Sequence, residues 1–297
     1  MKKSIWWVVG IVIVIVIIIA VSRSGSVSNS GPIKIGWIGP LTGDASAVGQ
    51  NAKAATEIAV DEINGAGGIN GRTIDMIYED GKCNGKDSTS AAQKLLNIDK
   101  VVMLYGGACS GETIAAASLA ENAKIPELSY CSSAPSLTTA GDYIFRNYPS
   151  DAYQGSFSAD YLFNKLGKKK VAVIYVQTDW GTGVKDVFVK SYKDLGGTIT
   201  DEEGIAQNAT DAKTLLTKVK ASNPDAIYFL GYSNETITAL KQMTQLGIKL
   251  PLFGGDAWGD SKIYKDAGAS AEGIMFVVPK SDVGDAFKAK MKAKIAS

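Results

Sequence analysis

Short apolar segments alternate with longer amphipathic ones along most of this chain. Seven segments of four to six residues are apolar or alternate apolar with polar side chains, which predicts β-strands at residues 33–38, 73–78, 101–105, 171–176, 226–230, 250–253 and 273–278. Between them, apolar residues recur three and four positions apart, which predicts helices at residues 47–64, 88–97, 113–122, 151–166, 182–195, 212–221 and 235–246. Such alternation predicts an α/β fold with parallel, doubly wound sheets and with sites at the carboxyl ends of strands.

The alternation pauses once, at residues 147–151, and then restarts before the strand at 171–176. We therefore expect two lobes, at residues 32–150 and 151–279. Two similar α/β lobes joined by short crossovers form a cleft between them, which is the usual place for a small ligand.

One segment, residues 101–113, is typical of a strand, a tight turn and a helix N-terminus. Gly106 and Gly107 allow the sharp turn, and Ser110 or Thr113 can cap the helix. Free N–H groups at such a turn, the positive end of the helix dipole and the Ser110 hydroxyl together suit a carboxylate. The plainer alternative is an ordinary strand-to-helix connection.

Composition removes several classes of function. The chain has 297 residues, with 31 basic and 30 acidic side chains, so no charge excess indicates a nucleic-acid partner. It has no histidine, which excludes Ser-His and Cys-His nucleophiles and most zinc sites, and we expect neither metal nor cofactor. Hydrolysis by carboxylates alone, through Asp179, Asp256 or Glu112, is the remaining enzymatic alternative. Because no paired-carboxylate motif supports it, we predict a binding protein and not an enzyme.

The N-terminus predicts export from the cytoplasm. Two lysines precede an apolar run at residues 5–21 that only Gly10 interrupts. This pattern is typical of a signal peptide over residues 1–22 or of a membrane anchor, and the length of the run favours the anchor. Residues 23–31 are rich in serine, glycine and asparagine and predict a flexible tether.

A series of short motifs, in this order and at this spacing, resembles the type I periplasmic substrate-binding proteins of the leucine/isoleucine/valine-binding family. The motifs cover nearly everything after the tether, and they lie at residues 33–43, 59–71, 78–80, 106–110, 131–135, 179–183, 231–232 and 254–256.

The resemblance implies two Rossmann-like lobes that close on an amino acid, branched-chain or similar, and deliver it to an ABC permease in the membrane. It implies that the chain turns back toward the first lobe at residues 280–297. Members of the family extend beyond the counterpart of Ser297, so we expect the last elements to be missing. A membrane-tethered amino-acid sensor is the alternative, since the same fold serves receptors.

The resemblance also assigns a ligand site. It implies that Ser110 and Ser133 bind the ligand carboxylate, that the Cys131 carbonyl and Asp256 bind the ammonium, and that aromatic side chains cover the ligand. The full set is Ser110, Cys131, Ser132, Ser133, Trp180, Tyr232 and Asp256. Val48 stands where the family often has an aromatic residue. The alternatives are that the serines cap helices, the aromatics are core residues and Asp256 belongs to a turn.

Three cysteines, Cys83, Cys109 and Cys131, lie in the segment predicted to be exported. The resemblance matches a disulfide between Cys83 and Cys109, which follow the second and third predicted strands, and Cys131 is then free in the ligand loop. Three reduced, buried thiols are the alternative.

Overall fold

The computed structural model describes residues 31–281 and 283–296. Its strands are β1 Ile33–Gly39, β2 Ile74–Asp80, β3 Met103–Gly106, β4 Glu127–Ser129, β5 Ile144–Arg146, β6 Lys170–Val176, β7 Thr198–Ile205, β8 Ala226–Leu230, β9 Leu252–Gly254 and β10 Met275–Phe276. Its α-helices are α1 Ser46–Gly65, α2 Gly85–Lys94, α3 Ser110–Ala123, α4 Asp151–Asp160, α5 Asp179–Asp194, α6 Lys213–Ala221, α7 Ser233–Gln245, α8 Ser261–Ala267 and α9 Asp285–Ala296. Single π-helical turns extend α2 and α4 at Leu95–Asp99 and Tyr161–Lys165.

The strands form two sheets of five parallel strands each. The first sheet has the order β2-β1-β3-β4-β5 and the second the order β10-β9-β8-β6-β7. α-Helices connect most successive strands, and a 3₁₀ turn at Pro135–Thr139 connects β4 to β5. The predicted doubly wound α/β fold is therefore confirmed.

Each sheet has its own hydrophobic core. In the second sheet all five residues of β8 are buried, and so are residues 171–174 of β6, as expected of strands covered on both faces. Helix α5 covers one face with Val184, Phe188 and Tyr192, which are spaced four residues apart and fully buried. The ring of Phe188 lies 4.2 Å from that of Tyr228, centroid to centroid. Burying a side chain of this size contributes about 1.5–3 kcal/mol.

Three strands and two helices were absent from the sequence prediction. Strands β4 and β5 have only three residues each, too few to show a period. Strand β7 contains residues 201–203, which are acidic and lie on the edge of the second sheet, where one side of the strand meets solvent. Helix α8 has only seven residues, and α9 lacks a clear apolar face.

Helix α9 lies against α1, beside the first sheet. Lys294 forms an ion pair of 3.0 Å with Glu57, and Lys290 pairs with Glu62. These exposed pairs add little stability but show where the chain goes after β10. Within the described residues, no helix combines the length and the apolar character that a membrane crossing needs. The predicted signal or anchor at residues 5–21 lies outside those residues.

A buried acid in β4 makes stability depend on pH. Glu127 is 1% exposed, its Oε2 has no hydrogen-bond partner among the described residues, and burial raises its pKa to about 9. An unfolded glutamate ionises near its ordinary pKa of 4.5. Between these two values the folded state therefore holds one more proton than the unfolded state, and stability falls as the pH rises.

We expect Glu127→Gln to remove this dependence, because the amide never ionises. The difference in free energy of unfolding, variant minus wild type, should increase by up to about 1.4 kcal/mol per pH unit from about pH 5 to about pH 8. Urea unfolding at several pH values measures the difference. A difference that stays constant with pH would contradict the expectation.

Candidate functional site

A cavity of about 690 Å³ lies between the carboxyl ends of the two sheets. Loops after β3 and β4 line it on one side, and loops after β6, β8 and β9 line it on the other. It brings together six of the seven residues predicted for the ligand site, namely Ser110, Cys131, Ser133, Trp180, Tyr232 and Asp256.

Ser110 connects two loops of the first sheet. Its Oγ accepts hydrogen bonds from the N–H groups of Ser133, at 3.2 Å, and Ala134, at 3.0 Å. Because Oγ is the acceptor in both bonds, its own hydroxyl hydrogen is left to donate to a bound anion. Ser110 opens α3, so the anion would also meet the N–H groups of the first helical turn.

Glu112, and not Ser110 or Thr113, caps the N-terminus of α3. Its Oε2 accepts from the N–H groups of Ala108, at 2.9 Å, and Cys109, at 3.0 Å. The predicted capping residues are thus wrong, and these two turn amides are not free for a ligand. Burial raises the pKa of Glu112 to about 7 against the opposing effect of its backbone donors. Its carboxyl is directed at the turn, which weakens the enzymatic alternative.

The loop after β4 presents only part of itself to the cavity. Ser132 is 1% exposed, and its Oγ lies 2.7 Å from Thr113 Oγ1 and donates to the Gly107 carbonyl at 3.1 Å. The structure therefore does not bring Ser132 into the cavity. Burial, assisted by nearby carboxyls, raises the pKa of Cys131 to about 12, so this cavity-lining residue is a neutral thiol at neutral pH.

The predicted disulfide is confirmed. Cys83 and Cys109 are bonded, with Cα atoms 5.2 Å apart, and Cys131 is free. The bond joins the loops after β2 and β3, at one wall of the cavity. Closing a loop of 26 residues stabilises a fold by about 3 kcal/mol in the chain-entropy account.

Two aromatic residues of the second sheet form a stacked pair at the cavity. The rings of Trp180 and Tyr232 are 5.0 Å apart with an angle of 21° between their planes. Trp180 is 4% exposed and belongs to the hydrophobic core, against which Tyr232 also packs. The pair is therefore both a core contact and a rigid wall of the cavity.

Asp256 begins a short helical turn directly after β9. Its Oδ2 accepts from the Tyr148 hydroxyl at 3.0 Å, and its N–H donates to Gln154 Oε1 at 3.0 Å. Burial raises the pKa of Asp256, while the bond from Tyr148 opposes that rise. Neither Tyr148 nor Gln154 was predicted as a site residue. Tyr148 lies at the pause near residue 150, which we interpreted only as a lobe boundary, and Gln154 lies in the helix predicted to follow it.

A repeated motif is a second feature that the sequence analysis missed. Residues 110–114 read Ser-Gly-Glu-Thr-Ile and residues 233–237 read Ser-Asn-Glu-Thr-Ile, and each segment opens the helix after the third strand of the alternation in its lobe. Ser233 lines the cavity opposite Ser110 and donates to Asp260. The two copies put equivalent helix N-termini on the two walls of one cavity.

A second cavity, of about 740 Å³, adjoins the first. Tyr148 and Asp256 line both cavities, and the second has largely apolar walls that include Phe157, Phe253 and Met275. Asp151 also lines it.

The first cavity is suited to a small zwitterion. Hydroxyl and amide donors face it from α3, and a carboxyl faces it from the opposite lobe at Asp256. Within the described residues, no group of three or more histidine, cysteine, aspartate or glutamate side chains is placed to hold a metal ion.

Comparisons with known proteins agree with this geometry. The chain is 30% identical over 267 residues to a leucine-, isoleucine-, valine-, threonine- and alanine-binding protein of Pseudomonas aeruginosa, covering 87% of this chain and 71% of that protein. The branched-chain amino acid transporter substrate-binding protein LivJ of Streptococcus pneumoniae, solved in complex with isoleucine, superposes with a TM-score of 0.79 at 32% identity, covering 90% of this chain and 78% of that one.

A leucine-binding protein, LivK of Thermotoga maritima, superposes with a TM-score of 0.80 at 26% identity and covers 89% of this chain and 77% of that one. The family model described as "Periplasmic binding protein" matches residues 32–296, almost the whole described part of the chain. This chain therefore belongs to the periplasmic binding protein family, as the sequence motifs indicated.

Proposed function

We propose that this protein is the extracytoplasmic solute-binding component of an ABC importer and that it closes its two lobes on an amino acid with an apolar side chain. We propose lobes at residues 32–150 and 151–279, with residues 280–297 as the return segment.

One observation carries the proposal: a carboxylate-binding group and an ammonium-binding group face the same cavity from different lobes. The Ser110 hydroxyl and the first turn of α3 supply donors on one side, and Asp256 supplies the acceptor on the other. A ligand that carries both charges would bridge the lobes. Its binding energy would thus favour the closed arrangement.

The remaining predicted residues fit around such a ligand. Ser133 and the Cys131 carbonyl lie beside Ser110, and Trp180 and Tyr232 form the wall. Alanines and Val48 contribute apolar surface to the same cavity. The Pseudomonas relative is a leucine-, isoleucine-, valine-, threonine- and alanine-binding protein, and LivJ was solved with isoleucine, which supports a branched-chain or similar amino acid. Val48, 40% exposed, would leave more room for the ligand than an aromatic side chain.

The location and partners follow from the same function. The disulfide fits an oxidising compartment outside the cytoplasm. We propose that residues 5–21 serve as export signal or membrane anchor, and that the closed form docks on a membrane permease. Determination of the N-terminal residue of the mature protein distinguishes signal from anchor.

Ligand binding can be tested by thermal unfolding and calorimetry against leucine, isoleucine, valine, threonine, alanine and phenylalanine. A ligand that binds only the folded state stabilises it by RT ln(1 + [L]/Kd), which is about 4 kcal/mol at a thousandfold excess over Kd. We expect a stabilisation of this order with at least one branched-chain amino acid. Small-angle X-ray scattering should show a smaller radius of gyration with that ligand, because the lobes close.

Two matched compounds serve as controls. 4-Methylpentanoate keeps the carboxylate of leucine but lacks its ammonium, and 3-methylbutylamine keeps the ammonium but lacks the carboxylate. Both should bind much more weakly than leucine if one lobe binds the ligand carboxylate and the other binds its ammonium. A folded protein that is stabilised by no amino acid of the panel would contradict the proposed function.

A further inference from the structure

Asp151 is a buried acid for which the proposed site has so far no role. It is 2% exposed, and its Oδ2 has no hydrogen-bond partner among the described residues. It opens α4, directly after the crossover from β5, so it lies where the chain passes from the first sheet to the second. An unpaired buried carboxylate is costly, so the charge state of Asp151 must be considered together with its neighbours.

Asp151 lies between the two ends of the proposed ligand site. Its N–H donates to the Ser133 carbonyl at 2.9 Å, which places the two residues side by side, and the Ser133 hydroxyl acts to lower the pKa of the Asp151 carboxyl. Asp256 lies close enough to act on it electrostatically, and both acids line the second cavity. The other charged and titratable groups that face this pair are Arg146, Cys131, Tyr148 and Tyr228.

The two acids differ in their hydrogen-bond donors. The Asp256 carboxyl accepts from the Tyr148 hydroxyl at 3.0 Å, and the Ala257 backbone also favours its ionised form. Asp151 has only Ser133 and the charge of Arg146 to favour its ionised form. Donors stabilise a carboxylate, so the negative charge of the pair belongs on Asp256 and the shared proton on Asp151.

Burial, with Asp256 as the second cause, raises the pKa of Asp151 to about 7. The pKa values of Cys131, Tyr148 and Tyr228 are raised too, so these groups stay neutral at neutral pH. Arg146 remains cationic, and it donates to the Ser133 and Ala134 carbonyls and to Thr138.

The location of the proton decides what Ser133 can do, since a hydroxyl has a single hydrogen to donate. If Asp151 is ionised, Ser133 donates that hydrogen to it, and none is left for a ligand. If Asp151 is protonated, its own O–H donates to Ser133 Oγ, and the Ser133 hydrogen turns toward the cavity, which Ser133 lines.

We propose that Asp151 is a positioning residue of the ligand site: it holds the one proton that it shares with Asp256, and it thereby directs the Ser133 hydroxyl to the ligand carboxylate. The inference rests on the proposed function. With the proton on Asp151, the site has one negative charge, on Asp256, to bind the ligand ammonium. It also has one extra hydrogen-bond donor, the Ser133 hydroxyl, to bind the ligand carboxylate. Binding at alkaline pH then requires uptake of a proton.

Calorimetry in two buffers of different ionisation enthalpy measures this uptake. We use leucine, or the panel member that binds more tightly, at steps from about pH 6.5 to about pH 8.5, an interval that brackets the titration of Asp151. The wild type should take up a fraction of a proton that grows with pH, and its affinity should fall by up to about tenfold per pH unit. In Asp151→Asn, the amide N–H donates to Ser133 at every pH, so the uptake should disappear and the affinity should become nearly independent of pH.

Ser133→Ala is the matched control, because it removes the hydroxyl through which Asp151 acts. In that background Asp151→Asn should change the affinity at neutral pH much less than it does beside the intact serine. Glu112, whose pKa is also about 7, contributes equally to the wild type and to Asp151→Asn, so their difference belongs to Asp151.

Three results would overturn the proposal while leucine still binds. They are equal proton uptake in wild type and Asp151→Asn, no uptake in the wild type, and an unchanged effect of Asp151→Asn without the Ser133 hydroxyl. If Asp151→Asn does not fold, Ser133→Ala takes its place: without the Ser133 hydroxyl the proton uptake should be smaller than in the wild type, and an equal uptake would overturn the proposal. A wild type that binds no amino acid would overturn the proposed function itself, which is a distinguishable outcome.

Discussion

Asp256→Asn should reduce amino-acid affinity by about 3–5 kcal/mol, which is about a hundredfold to several thousandfold in Kd. The asparagine oxygen can still accept from the Tyr148 hydroxyl, which lies 3.0 Å from the carboxyl in the wild type. The side chain thus keeps its shape and a bond while it loses its charge. In the closed protein the ligand ammonium would then be buried without a compensating charge, which makes the expected loss large. Calorimetry with leucine measures it.

Two comparisons separate ammonium recognition from a general effect. The same variant should lose much less affinity for 4-methylpentanoate, which has no ammonium. Asp44→Asn removes a carboxylate from the exposed edge of the same cavity, and we expect it to change leucine binding by less than about 1 kcal/mol. Equal losses for the two ligands in Asp256→Asn would show that Asp256 supports the fold or the closed state and does not bind the ammonium.

Glu112→Gln should lower the free energy of unfolding by about 2–5 kcal/mol. Its two carboxyl oxygens accept from three backbone N–H groups: Oε1 from Cys83 at 3.0 Å, and Oε2 from Ala108 at 2.9 Å and Cys109 at 3.0 Å. A glutamine has one acceptor and would point an N–H group at the remaining donors. A Cβ added at Gly81 would lie 2.3 Å from Glu112 Oε1, so the backbone surrounds the acid closely and no room is left for rearrangement.

Urea unfolding at about pH 8, above the pKa of Glu112, measures this effect with the acid ionised. Glu235→Gln is the matched control from the repeated motif in the other lobe. Glu235 is 1% exposed, and its Oε1 accepts from the Asn208 N–H, but its Oε2 has no partner among the described residues. A glutamine there can keep the accepting oxygen and place its amide N–H groups where no donor lies, so the substitution should cost less. A loss in Glu112→Gln no larger than that in Glu235→Gln would show that the three backbone bonds do not hold the turn.

A comparison with Glu127 shows why replacing a buried glutamate by glutamine lowers stability at one position and raises it at another. Both acids are buried, and burial raises the pKa of each. Glu112 has three backbone donors that require an acceptor, whereas burial alone acts on the pKa of Glu127. Replacing the carboxyl by an amide therefore removes needed hydrogen-bond acceptors at Glu112, whereas at Glu127 it removes the cost of ionising a buried acid.

Periodicity alone identified the two-sheet architecture, because strands buried on both faces are long apolar runs and the covering helices have a regular apolar face. All seven predicted strands and seven predicted helices have counterparts in the structure. Strands β4 and β5 were missed because three residues are too short to show a period. The edge strand β7 was missed because residues 201–203 are acidic, so its pattern was not that of a buried strand.

The motifs determined the family, and their order also indicated which residues meet at the cavity. They did not indicate where each side chain points. Ser132 faces Thr113 and the Gly107 carbonyl, and the amides expected to bind an anion donate to Glu112. Such orientations depend on which donor and acceptor lie opposite in space, and these come from segments far apart in the chain. Tyr148, Gln154 and Asp151 acquire their relation to Asp256, more than 100 residues away, only when the crossover packs against the second sheet. The sequence therefore determined the architecture and the family, and tertiary packing alone decided the hydrogen bonds and charge states of the site.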